Sequence, residues 1–219
     1  MIFGTYKIPK DLVAETVYLA IKVGFRHIDT AELYNNQRQV GDGINRAIDE
    51  AIITRDELFV TTKVSKQSLI KKKVPNSINK SLRQLNVCYV DCVLLHSPDY
   101  YKENWELLKQ YYSENKYKVK NIGVSNFSIS QLKEIIKDSE ITPLMNQIEI
   151  NPKFVRDELI KFCDENKIKV TAHSITAKKE ILEIMSYSNI VKEVSKTGAE
   201  IIVTTSNLIH IIEDFELSK

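Results

Sequence analysis

The sequence predicts an α/β protein built as a (β/α)₈ TIM barrel, and three observations lead there. Short β-branched or apolar runs alternate down the chain with segments of helical spacing, eight of each. Runs such as FVTTKV and VDCVLL are too uniformly apolar for a sheet with one wet face, so they suit strands covered on both sides. No GxGxxG follows an early strand, which disfavours the alternative, an open doubly wound sheet. The 219 residues hold only six glycines and five prolines, with no linker or low-complexity tract, so residues 1–219 are expected to form one domain. A domain of this size buries about 70% of its unfolded surface, enough for a sizeable core.

Taken in order, strands are expected at 2–6, 26–29, 58–64, 89–95, 119–124, 144–150, 169–173 and 201–204. Helices are expected near 10–23, 37–53, 75–85, 102–116, 129–138, 155–166, 179–197 (broken) and 207–214. Asn126 or Ser128 can cap the helix that begins near 128, and Ser206 or Asn207 the last one. Their side-chain oxygens accept otherwise unpaired N–H groups. The run Lys71–Lys73, just before a helix, reads as a solvated loop.

Composition excludes several functions. Lys and Arg number 31 against 29 Asp and Glu, a net charge of +2, too little to argue for nucleic acid or an anionic membrane. No stretch approaches 18 apolar residues, and MIFGTYKIPKDL lacks the pattern of a signal peptide. The three cysteines, Cys88, Cys92 and Cys163, form no CxxC or His/Cys cluster, so no metal site is expected and a reducing compartment fits. The expectation is a cytoplasmic monomer.

A barrel places its chemistry at the C-terminal ends of strands. There the second strand ends in Asp29 with Tyr34 just beyond, the third in Lys63 and the fourth in His96. Each alone has a bland reading: a turn cap, one of ten tyrosines, a rim lysine, a satisfied histidine. Together they carry more. The segments GFRHIDTAELYNN, TTKVS, VLLHSP, KNIGVSNFS and NQIEINP, in this order, resemble the signature segments of the aldo-keto reductases, and the resemblance runs from about residue 3 to residue 218. It implies that Asp29, Tyr34, Lys63 and His96 are a catalytic tetrad. The implied reaction is reduction of an aldehyde or ketone by hydride from NADPH, with Tyr34 as proton donor.

The chemistry needs such a set. A carbonyl oxygen accepting hydride develops negative charge, and a phenol with an ordinary pKa near 10 is a poor acid at pH 7 unless a nearby cation favours its ionised form. Lys63 is expected to be that cation, with Asp29 holding the ammonium and limiting the cost of burying it. His96 would orient the carbonyl or stabilise the alkoxide by hydrogen bonding.

The resemblance also assigns the cofactor site. Ser125, Asn126 and Gln147 would hold the carboxamide of the nicotinamide, and His173 would stack on its ring. Thr5 and Tyr6 would lie near the ribose and pyrophosphate, with Asp29 bordering the same space. Tyr6, Tyr34 and His96 would also face the small carbonyl substrate. Thr204, Thr205 and Glu213 would lie at the adenosine end.

The sequence departs from the family pattern in places. Against that pattern the N-terminal hairpin and the C-terminal segment over the pocket are expected to be lacking, and Glu200 runs straight into IIVTTSN where the resemblance leads one to expect a helix. The seventh and eighth units are therefore expected to be incomplete, with apolar strand surface exposed unless residues 190–198 cover it. Thr204 and Thr205 replace Lys-Ser, His210 replaces an arginine and Asp214 an asparagine. This weakens the clamp on a 2′-phosphate and makes NADH the second candidate cofactor. The alternative function is a degenerate barrel acting as a binding or regulatory protein.

Overall fold

The structure is a computed structural model that describes residues 1–137, 139, 141–177, 180–182 and 184–217. Parts of two expected helices (residues 138, 179 and 183) and residue 218, where the family resemblance ends, lie outside the described residues. The strands are β1 (Ile2–Gly4), β2 (His27–Asp29), β3 (Phe59–Val64), β4 (Cys92–Leu95), β5 (Ile122–Ser125), β6 (Met145–Glu149), β7 (Lys169–His173) and β8 (Glu200–Val203). They pair in parallel in sequence order and close into a barrel, β8 joining β1 through Ile2↔Ile202 and Phe3↔Val203. The strands of the seventh and eighth units are thus both in place, β7 pairing β8 through Thr171↔Glu200 and Ala172↔Ile201.

Helices α1 (Lys10–Val23), α2 (Gln37–Asp49), α3 (Lys66–Ile70), α4 (Val74–Leu85), α5 (Tyr101–Glu114), α6 (Ile129–Lys137), α7 (Asp157–Glu165), α8 (Tyr187–Ser195) and α9 (Leu208–Glu216) follow the strands. The residues between strand and helix form the large core, in which Val40, Ile44, Val93, Leu95, Trp105 and Leu108 are fully or almost fully buried. The barrel interior carries a smaller apolar cluster of Cys92, Leu94 and Met145, with Phe59 and Leu144 against it. These two layers are what alternating side chains on a strand buried on both faces produce.

The expected loss of cover near β8 is made good locally. Ser186 caps α8 by accepting from the Asn189 N–H, and Ile190, Val191 and Val194 of that helix are buried. At the other end of the chain, Phe215 of α9 packs on Phe25, ring centroids 5.5 Å apart. Gly24 makes room: it ends α1 at φ 124°, and a Cβ there would meet the Phe215 ring at 2.3 Å. Of the alternative caps, Ser128 accepts from the Gln131 N–H, and Asn207 from that of Ile209. The strands are mostly shorter than expected. Tyr89–Asp91 contribute only an isolated bridge, Val90↔Val119, before β4 begins. The short helix α3 was not expected, although Ser65 caps it in the ordinary way.

Candidate active site

Lys63 is the centre of the site. Its ammonium is wholly buried at the C-terminal end of β3 and uses all three N–H groups: on Asp29 Oδ1 (2.5 Å), on the Thr30 carbonyl (3.1 Å) and on the Tyr34 hydroxyl oxygen (3.1 Å). Asp29 ends β2 and receives a second donor on its other oxygen, Gln147 Nε2 of β6, at 2.8 Å. A buried charge pair is tolerable when each partner is this fully hydrogen-bonded. Burial alone would depress the Lys63 ammonium pKa, but Asp29 and Tyr34 outweigh it, and the pKa lies above the ordinary lysine value.

Tyr34 stands at the end of a 3₁₀ turn, Glu32–Tyr34, between β2 and α2. The Glu32 carboxylate ties this turn to the far side of β3: its Oε2 accepts from the Ser65 N–H (3.2 Å), Ser68 Oγ (2.9 Å) and Ser77 Oγ (2.7 Å). Burial would raise the Glu32 pKa, yet these donors pull it down to about 2. Glu32 was not among the residues singled out in the sequence. Its partners lie 33, 36 and 45 residues away, beyond any local pattern.

The electrostatics correct one expectation. Burial raises the Tyr34 pKa above the ordinary phenol value, and the downward pull of Lys63 does not overcome it. Burial therefore keeps the Tyr34 proton on Oη, and because Lys63 donates to that oxygen the proton is free to point to another acceptor. His96, beyond β4, stands edge-on to Tyr34 with ring centroids 5.8 Å apart. Burial, helped by the Lys63 charge, lowers its pKa to about 3, so it is a neutral imidazole at neutral pH. Its buried Nδ1 has no partner.

The residues expected at the nicotinamide end surround this group. Ser125 Oγ donates to the Gln147 carbonyl (2.9 Å), and Asn126 Nδ2 donates to Ser125 Oγ (3.0 Å) and the His96 carbonyl (3.3 Å). His173 Nε2 donates to Asn126 Oδ1 (3.2 Å), which leaves Nδ1 to accept from Ser174 Oγ (3.0 Å). Burial lowers its pKa to about 4. His173 is thus held at the mouth beside Asn126 rather than standing isolated on the surface. Thr5 turns its hydroxyl inward onto the Asp29 carbonyl (3.1 Å), while Tyr6 is half exposed with its ring 5.0 Å from that of Tyr34.

From Tyr6 a cavity of about 630 Å³ continues past Thr204, Thr205, Ser206, His210, Glu213 and Asp214. That size suits an organic ligand. Gly4 lets Thr204 pack closely against β1 at this end: a Cβ there would lie 2.6 Å from Thr204 Oγ1. Tyr187, which sequence reasoning missed, enters the same cavity from α8. The Ser186 cap one residue before it was the available signal. A larger open depression of about 720 Å³, beside Lys72, Glu103 and Gln110, lies on the helical outer face away from the tetrad.

The closed parallel barrel gathers Asp29, Tyr34, Lys63 and His96 at its C-terminal mouth, and the sequence says to which class of protein it belongs. The chain belongs to the aldo/keto reductase family, whose pattern it matches over residues 1–193. It is 36% identical over 203 residues to a glyoxal reductase of Bacillus subtilis, covering 91% of this chain and 71% of that protein. It is 32% identical over 210 residues to an NADPH-dependent D-xylose reductase of Meyerozyma guilliermondii, covering 83% and 66%. Its fold is similar to that of the Bombyx mori aldo-keto reductase in complex with NADP, at 29% identity and a TM-score of 0.87, over 99% of this chain and 83% of that one.

Proposed function

We propose that this protein reduces aldehydes or ketones to alcohols with a nicotinamide dinucleotide, Tyr34 giving the proton. One observation carries this reading: the Tyr34 hydroxyl, kept protonated by its burial, stands 3.1 Å from the buried Lys63 ammonium that would stabilise its phenolate. The residues present fit the nicotinamide end of such a cofactor, since Ser125, Asn126 and His173 converge there next to Tyr34. When bound, the reduced dinucleotide supplies the hydride. NADPH is the family's expected donor and NADH the second candidate, and the adenosine end of the cavity decides between them.

The chain's own residues do the rest. Tyr34 holds a proton at Oη within reach of an incoming carbonyl oxygen. As charge develops on that oxygen, the phenol proton moves to it, and the Lys63 ammonium stabilises the phenolate left behind. Asp29 and the Thr30 carbonyl keep the ammonium from turning away. His96, neutral, contributes a hydrogen bond without adding positive charge that would favour premature loss of the Tyr34 proton. The family relatives named above, a glyoxal reductase and a xylose reductase, support small carbonyl compounds as the substrate class.

The test is isotope transfer. Purified full-length chain is incubated with 4-deuterated reduced dinucleotide and an aromatic aldehyde, and the alcohol is analysed by mass spectrometry. One deuterium on the carbinol carbon per alcohol formed is expected. A folded protein that forms no alcohol contradicts the proposal and favours the second reading, a binding or regulatory protein. That reading draws support from the adenosine end, where neutral side chains stand in place of cations.

A further inference from the structure

The far end of the cavity carries a chemistry opposite to what a 2′-phosphate needs. Asp214 of α9 is 3% exposed, lines the cavity, and has one carboxylate oxygen, Oδ1, buried without a partner. Tyr187 of α8 lines the same cavity beside it. Glu213 stands exposed on the adjoining wall. A buried acceptor without a donor is costly, so the site as built asks for a ligand O–H or N–H.

No guanidinium lines this space among the described residues. Thr204, Thr205 and Ser206 offer hydroxyls, His210 an imidazole, and the Thr205 hydroxyl already accepts from the Asn207 N–H at 3.1 Å. Lys7, the cavity's lysine, keeps its ammonium 5.2 Å from the Tyr6 ring centroid, toward the tetrad end. A phosphate monoester brings about −1.5 to −2 charges and only acceptors. Against two carboxylates in a partly enclosed space this is repulsive, whereas the hydroxyls of an unmodified ribose are donors that a carboxylate accepts.

We propose that the adenosine end is selective for a dinucleotide with a free ribose 2′-hydroxyl, that Asp214 is the selecting residue, and that NADH therefore binds in preference to NADPH. This rests on the reductase reading and deepens it. The disagreement between these residues and a 2′-phosphate is its substance.

Calorimetric titration of the full-length chain with NADH and, separately, NADPH tests it by binding alone. NADH is expected to bind at least about tenfold more tightly. In Asp214→Asn, which keeps the shape but replaces an acceptor with an amide, the ratio should shrink toward one. A Thr204→Lys, His210→Arg double variant should raise NADPH affinity about tenfold or more. Equal or tighter NADPH binding by the natural chain overturns the proposal even if Asp214→Asn fails to fold, and an unchanged ratio in a folded Asp214→Asn overturns the role of Asp214. If neither dinucleotide binds, this inference and the reductase reading both fall. If NADH binds preferentially but no alcohol forms in the isotope experiment, only the reductase reading falls.

Discussion

At the scale of the residue, the site works by keeping charges where they are rather than by titrating them. Lys63 stays cationic because Asp29 and Tyr34 pay back its burial, Tyr34 stays protonated because burial outweighs Lys63, and His96 stays neutral because it is buried near an ammonium. The pH dependence follows from these signs. The acid form of Tyr34 is lost only above a pKa that is raised from 10, and His96 gains a proton only near pH 3. The turnover number at saturating cofactor should therefore be flat from about pH 5 to 9. Steady-state rates across that range check it, and a fall centred near pH 7 would mean that Tyr34 or His96 titrates far from where its surroundings hold it. The residue types were legible in the sequence because each ends or follows an apolar run. The balance between burial and Lys63 was not, because it depends on how deeply the phenol sits.

At the scale of the element, close approach and a half-buried carboxylate set the frame. Helix α2 reaches α4 through Gly41, where a Cβ would lie 2.2 Å from the Leu85 carbonyl oxygen. Gly41→Ala is expected to destabilise the protein by about 1–3 kcal/mol despite alanine's better helix propensity, as chemical denaturation would measure. Glu32 holds the 3₁₀ turn of Tyr34 to the serines beyond β3. Glu32→Ala leaves those donors unsatisfied and should cost about 1–3 kcal/mol. It should also lower the turnover number more than it changes KM, with partial rescue in Glu32→Gln. If Glu32→Ala lowers the melting temperature and leaves turnover intact, the turn is only structural. Strand order and most helices were legible from alternating apolar periodicity. Helix α3 was not, since five residues carry too little periodicity to register, and the early end of β4 was not, since Tyr89–Asp91 are β-prone but pair only at Val90.

At the scale of the whole molecule, packing closes the barrel where the sequence predicts incomplete seventh and eighth units. The sequence shows a shortened connection before β8, but not that Ile190, Val191 and Val194 of α8 bury themselves over the gap. We propose that residues 1–219 unfold as one unit, so a scanning calorimeter should record a single transition whose van't Hoff and calorimetric enthalpies agree. Its midpoint should fall on acidification. His27, His96 and His173 are pushed by burial to about 3, 3 and 4 in the folded protein. The unfolded chain takes up these protons near pH 6.5, so stability is lost from there downward. Asp214, raised by burial to about 6, acts in the opposite sense below that pH, one group against three. A lower melting temperature at pH 5 than at pH 7.5 is expected, and an equal or higher one would contradict the neutral, buried state of the histidines.

The central claim is that Tyr34 is the proton donor in a dinucleotide-dependent reduction, and Tyr34→Phe tests it most directly. The variant removes one oxygen and leaves the Asp29–Lys63 ion pair in place, with the Thr30 carbonyl and Gln147 as its further partners. Turnover of an aldehyde should drop by at least about 100-fold while calorimetric binding of the dinucleotide stays the same. A variant that binds the dinucleotide and turns over within about twofold of the natural chain would contradict the claim.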